Sequence, residues 1–421
     1  MRMHQPTAEV IGTGARSAPA PRIGLYSHDT VGLGHTRRNI AVATSLLSAW
    51  PDADALLITG NPEATSLCLP PRTDVVTVPT LAKDTAGHYR SRTLNAPVDR
   101  VISMRSAVIE AALTSFSPDL LIVDKVPLGV AGELAPSLRR LRAGGRTRIV
   151  LGLREILDDP VTAVAQWTRS GSTETIDELY DAVWVYGDQR VYDPIVEYGL
   201  PAEVSDRCTF TGYLGADRFQ GADQGQSTVL PTDRPYVLCT VGGGQDGAEL
   251  ATAFAGSSLP ADHDGVVVCG PYMSGDARAR VHRVAEDTPE MTVLDFVPDL
   301  HRLIDGAAAV VSMAGYNSAC EVLAADRPAL LVPRTRPRTE QLVRAQRLSE
   351  IGAVDMLPLD RLTGAALSAW SARAVTAAGP AGRRAEVDVD GLRRLPLIAE
   401  QLLARRLPNS TGHRGVDHRA A

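Results

Sequence analysis

Residues 308–357 read AAVVSMAGYNSACEVLAADRPALLVPRTRPRTEQLVRAQRLSEIGAVDML. An apolar run, 308–311, meets Gly315, Tyr316, Asn317 and Ser318, passes into a helical pattern through Leu323, and returns to a second apolar run, 328–333. A second polar turn carries Arg334, Arg336, Arg338, Glu340 and Gln341, and is followed by an amphipathic helix over 342–350 and a short strand over 353–357. Strands joined by crossover helices make a parallel α/β sheet, whose ligands bind beyond the carboxyl ends of the strands. Both turns are therefore expected in one crevice, each delivering a helix N-terminus with free N–H groups that suit a phosphate.

The acids in these turns ask for something else. A carboxylate does not favour phosphate, so Glu321, Glu340 and the amide of Gln341 suit hydroxyl donors such as a ribose or a sugar. A purely structural role is open for each. Ser318-Ala-Cys-Glu321 spells a capping box, and Glu340 is an acid at a helix start, where the dipole favours it. The three arginines either clasp a phosphate or stand in solvent.

The stretch AGYNSACEVLAADRPALLVP, then Glu340-Gln341, then RAQRLSEIGA, resembles the donor-binding region of MurG-like glycosyltransferases, in particular the uncharacterised predicted glycosyltransferases of that group. The resemblance implies a GT-B fold: two Rossmann-like α/β domains facing across a cleft. It also implies Glu321 on the ribose hydroxyls, Glu340 and Gln341 on the transferred sugar, and the Gly315 turn beside the diphosphate of a nucleotide sugar, UDP in the commonest case.

The whole chain fits this scale. Its 421 residues exceed one ordinary core and suit two domains of somewhat under 200 residues each, and 44% hydrophobic with 22% charged residues is an ordinary globular balance. A formal charge of −6 argues against a nucleic-acid partner. Only Lys83 and Lys125 are lysines, so abundant arginine reflects codon usage before function. The five cysteines sit mostly in apolar runs and read as reduced, buried side chains. With no metal spacing, no apolar signal region and no membrane-length segment, the expectation is a cytoplasmic protein without metal or cofactor. The family resemblance keeps open a peripheral membrane contact and a lipid-linked acceptor beside a small-molecule one.

From the start, 1–21 reads as a loose tail and 22–215 as an acceptor domain. A strand over 23–27 leads to the loop HDTVGLGHT and a helix over 37–50. Gly32 and Gly34 begin a dinucleotide fingerprint, but Arg37 takes the third glycine's place and no acid ends the next strand, which disfavours NAD. The loop holds His35 at a helix start, where the dipole keeps an imidazole neutral and able to accept a proton. In MurG-like enzymes a glycine-rich loop ends in a histidine near the reaction centre, and Gly34-His35 stands in the matching place. Further strands end at Asp124, a candidate orienter of His35 or acceptor contact, and at Arg154, placed to meet negative charge on the acceptor side. The polar stretch 79–100 reads as a long loop. Asp52 and Asp54 spell DxD but precede a strand, and no metal is expected there.

A linker, 216–235, precedes the donor domain, 236–390. Here Gly242, Gly243, Gly244, Gln245, Asp246 and Gly247 complete GxGxxG between a strand and a helix. The following strand ends in Cys269-Gly270 without a ribose acid, so the loop suits a nucleotide-sugar diphosphate rather than NAD. A strand ending at Val297 resembles the place where family members read the base through backbone. A closing helix, 391–407, and a tail, 408–421, complete the chain. The implied reaction is inverting, metal-free transfer to a hydroxyl or amine; a nucleotide-sugar 2-epimerase and a non-catalytic nucleotide-sugar binder are the rivals.

Overall fold

The computed structural model describes residues 20–28, 33–83, 88–215, 232–297, 300–376 and 386–405. Most of both expected tails, the larger part of the expected linker, and Asp29 and Gly32 lie outside them. The first half contributes β1 (Arg22–Tyr26), β2 (Asp54–Thr59), β3 (Thr73–Thr77), β4 (Leu81–Lys83), β5 (Tyr89–Ser91), β6 (Leu120–Asp124), β7 (Arg148–Arg154), β8 (Ala182–Tyr186) and β9 (Cys208–Phe210). The second contributes β10 (Tyr236–Thr240), β11 (Asp264–Val268), β12 (Met291–Leu294), β13 (Ala309–Ser312), β14 (Ala329–Leu331) and β15 (Asp355–Met356).

Two wholly parallel sheets result, ordered β3-β2-β1-β6-β7-β8-β9 and β12-β11-β10-β13-β14-β15. Strands covered by helices on both faces have no polar side to show, which is why β6 (LLIVD) and β8 (AVWVY) are uninterrupted buried runs. In each sheet the chain runs outward from its first strand and then returns to that strand's other side. A crevice opens at this switch point, between the carboxyl ends of β1 and β6 in one half and of β10 and β13 in the other.

Several elements differ from the sequence expectation. The stretch 79–100 is no plain loop: β4 and β5 pair antiparallel, and the next helix starts at Val98 behind Pro97. A helix over Gly364–Thr376, unread in the sequence, packs Leu367 and Trp370 onto the second half. The last helix, Gly391–Ala404, tolerates Pro396 and buries Leu392, Leu395, Ala399 and Leu402 in one cluster with Val42 and Leu46 of the helix Gly34–Ala49. Ser45 Oγ donates to the Leu392 carbonyl at this contact. The chain thus ends its described course against the half in which it began.

Candidate active site

The helix after β1 starts at Gly34, three residues before the expected 37, so His35 stands inside its first turn. His35 Nδ1 meets Asp124 Oδ2 at the end of β6, and the other Asp124 oxygen takes Arg38 Nη2, one turn along from His35. Arg38 Nη2 also lies 2.9 Å from His35 Nδ1. A donor and an acceptor cannot both be served by one ring nitrogen. The carboxylate decides: Nδ1 carries the proton, which leaves the lone pair on Nε2, and His35 lines the cleft.

The electrostatics agree with a neutral ring. Burial lowers the His35 pKa, and Asp124 opposes it without reversing it. Burial pushes the Asp124 carboxyl up, but the Arg38 guanidinium and then His35 more than compensate, holding it below the usual carboxylate range. Desolvation thus acts in the same direction as the helix dipole expected from sequence, each favouring the neutral ring.

Opposite this pair stands the glycine turn after β10. Gly244 has φ of 88°, and a Cβ there would collide with the Cys269 carbonyl. Gly247 lies against Val241, so the third glycine lets the helix Ala248–Ala255 press onto its own strand. These are the reasons a fingerprint glycine is required, read from contacts rather than spelling.

The turn after β13 departs from the expected capping box. Gly315 is the N-cap and Tyr316 the first helical residue, which puts Ser318 and Glu321 third and sixth. Glu321 is too deep in the helix to reach back to the cap N–H. Glu321 is nine-tenths buried and lines the cleft with Gly315, Tyr316, Asn317 and Ser318. Asn317 Nδ2 donates to the Gly34 carbonyl at 3.0 Å, joining this turn directly to the His35 loop.

Glu340 and Gln341 open the next helix, Glu340–Glu350, two residues earlier than expected. Glu340 is buried, not a surface acid: its Oε1 takes Arg334 Nη2 at 2.8 Å, while Oε2 has no hydrogen-bond partner among the described residues. Arg334 also reaches Asp246 at 3.1 Å and the Arg336 and Arg338 carbonyls at 3.1 and 3.0 Å. It is neither solvated nor free to clasp a phosphate; it braces the glycine turn against the Glu340 helix. Arg336 is exposed, and Arg338 faces Asp158 of the first half at 3.9 Å.

Beneath the turns lies an arrangement that the sequence did not reveal. Arg344 and Glu155, both 0% exposed, pair across the two halves at 2.6 Å and 3.2 Å, and Arg344 Nη1 donates to the Ala314 carbonyl at 2.9 Å. Tyr316 sits between Arg38 and Arg344, each guanidinium 5.6 Å from its ring centre, with Tyr213 stacked alongside. Arg38 was legible only as the residue a turn after His35; Glu155 and Arg344 carry no sequence signal, since their partnership spans 189 positions.

A cleft of about 1010 Å³ unites these parts, lined by Gly34, His35, Arg154, Gly242, Gly243, Gly244, Gln245, the Gly315 turn, Glu321 and Gln341. Asp124 and Glu340 stand just behind its wall, and Val297 is buried away from it. Asp54 of the DxD spelling, the first residue of β2, pairs with Arg72 at 2.8 Å. Among the described residues no group of three or more His, Cys, Asp or Glu is placed to hold a metal, and no helix is long and apolar enough to cross a membrane.

Residues 238–376 match the glycosyltransferase family 28 C-terminal domain. The family 28 segment holds the glycine turn, the Gly315 turn, Glu321, Glu340 and Gln341. No curated protein sequence matches the chain significantly. Among solved structures, the glycosyltransferase of kitacinnamycin is similar with a TM-score of 0.60 at 17% identity, over 93% of this chain and 100% of that one. The calicheamicin glycosyltransferase gives 0.56 at 16%, over 93% and 100%. A structure described as a UDP-N-acetylglucosamine 2-epimerase from Listeria monocytogenes gives 0.59 at 11%, over 93% and 99%. Together with the family 28 match and the two facing parallel sheets, these place the chain in the GT-B fold.

Proposed function

We propose that this protein is an inverting glycosyltransferase that moves a sugar from a nucleoside diphosphate sugar to a hydroxyl or amine. The observation that carries the reading is the meeting, across one cleft, of the His35–Asp124 pair with the glycine turn and the Gly315 turn of the family 28 segment. The narrower placing among MurG-like enzymes rests on the motif running from Ala314 to Pro333.

The roles follow from the geometry. The acceptor oxygen or nitrogen attacks the anomeric carbon from the side opposite the diphosphate, and its proton passes to His35 Nε2. Asp124 holds the ring and stabilises the imidazolium that forms. The bond from the anomeric carbon to the diphosphate oxygen breaks, and the leaving group takes the electron pair. Backbone N–H groups of the Gly242 turn and the helix N-terminus at Tyr316 meet that developing charge, a task that needs no metal ion. Glu321 receives the ribose hydroxyls and Gln341 the sugar, while Glu340, just behind the wall, is reached by the sugar only if the side chain turns its Oε2 into the cleft.

The acceptor is a small molecule or a lipid-linked one presented at the membrane surface. The epimerase-like match favours one second reading, nucleotide-sugar 2-epimerisation, and a donor-binding protein without catalysis is a third. The test is a thermal-shift screen against UDP, TDP and GDP and their sugars with EDTA present, followed by mass analysis of the turnover mixture. Stabilisation by one nucleotide with hydrolysis or transfer of the sugar supports the proposal. Epimerised donor without acceptor supports the second reading, and stabilisation by NAD alone defeats all three.

A further inference from the structure

Arg38 and Arg154 line the cleft with Arg344 buried nearby, and the partners of the three are unequal. Arg38 is held by Asp124, and Arg344 has both oxygens of Glu155. The side chain of Arg154, at the carboxyl end of β7, makes no hydrogen bond or ion pair among the described residues, and its Nε is shut off from water with nothing to donate to. It lines the cleft in company with His35 and Gln341. A half-buried cation is costly unless something neutralises it, and neither nearby acid, Glu155 or Glu340, forms an ion pair with Arg154. Glu155 is committed to Arg344, and Glu340, bound through one oxygen to Arg334, makes no ion pair with Arg154.

We propose that Arg154 anchors an anion subsite, so that the substrate group lying between His35 and the Gln341 turn bears a carboxylate or a comparable oxyanion. This deepens the glycosyltransferase reading and rests on it for the identity of the site, not for the presence of the charge. The anion is either a uronate on the transferred sugar or an acid on the acceptor; the chemistry that Arg154 recognises is the same, a planar oxyanion met by a guanidinium fork. Burial, followed by the charges of Arg38 and Arg344, brings the Arg154 pKa down to about 10, and the more weakly felt charges of Glu340 and Glu155 do not offset them.

The test uses the full chain, wild type, Arg154→Gln and Arg154→Lys, with calorimetric titration of two matched pairs of probes. UDP-glucuronate against UDP-glucose reads the donor source; 4-hydroxybenzoate against its methyl ester, with UDP saturating, reads the acceptor source. In one pair the charged member is expected to bind about 10- to 100-fold tighter in the wild type, as for a charge-assisted hydrogen bond. Arg154→Gln removes that preference and Arg154→Lys keeps part of it, while UDP, which lacks the group, binds both much as it binds the wild type. Equal binding within both pairs, as a neutral hydroxyl bridging Arg154 and Glu340 gives, overturns the proposal, and so does a preference that survives Arg154→Gln. Absence of any nucleotide binding defeats the glycosyltransferase reading instead, and the benzoate pair, titrated without nucleotide, then judges Arg154 by the same preference and its loss in Arg154→Gln.

Discussion

Glu155→Gln isolates the joint between the two halves. The wild-type pair has two charge-assisted bonds, at 2.6 and 3.2 Å, and neither side chain touches water. With charge centres roughly 4 Å apart, attraction at an effective dielectric of 20 is about 4 kcal/mol. Glutamine keeps one acceptor for Nε but turns an NH2 toward Nη2 and leaves the Arg344 charge buried without a counter-ion. Breaking one side of a buried pair costs ~3–5 kcal/mol; because glutamine retains one bond, about 3 kcal/mol is expected here. If a half unfolds as a unit of 150–250 residues, that is a fall in Tm of roughly 6–12 °C. The assay is urea denaturation followed by fluorescence, with Trp50, Trp167 and Trp184 reporting the first half and Trp370 the second. Both transitions are expected to move, since the pair joins the halves. Arg344→Met combined with Glu155→Met removes both charges and recovers most of the loss. A shift below about 1 kcal/mol for Glu155→Gln, or double-mutant effects that simply add, refutes the reasoning.

Further outcomes concern chemistry. His35→Ala is expected to reduce kcat by about 10²–10⁴-fold with donor affinity nearly unchanged, measured by steady-state kinetics beside UDP titration. The acid limb of kcat/KM falls below the ordinary histidine value of about 6.5, because burial depresses the His35 pKa. Arg38→Met removes a cation that lowers it and moves the limb to higher pH; a fixed limb counts against His35 as the base. The stability linkage has the matching sign: with His35 depressed, the unfolded chain binds more protons between the folded and unfolded values, so stability rises with pH through that window and is lost below it. Glu321→Gln is expected to weaken UDP binding by about tenfold or more through one lost charge-assisted bond to ribose; unchanged affinity removes Glu321 from that role. Gly244→Ala, strained at φ of 88° and blocked by Cys269, lowers the melting temperature and donor affinity together. Donor binding at wild-type strength in that variant argues against the turn as the diphosphate cradle.

The sequence alone determined two parallel α/β halves, because buried parallel strands spell continuous apolar runs and each glycine turn announces a strand-to-helix switch. It also placed His35, the Gly242 turn and the Gly315 turn at strand ends, where an open sheet puts its crevice. Local pattern failed where a residue's state depends on distant partners. Glu340 reads from its position as a dipole-favoured acid at a helix start, and nothing local shows that it is buried and paired with Arg334. Glu321 reads as half of a capping box, yet the helix starts two residues before Ser318 and takes it out of reach. His35 reads as a dipole-tuned imidazole, yet Asp124, brought in by β6, sets its tautomer. Glu155 with Arg344, and Arg154 without a partner, belong wholly to the tertiary structure. Whether a buried charge is neutralised depends on what lies across the cleft, and no spacing along the chain records that.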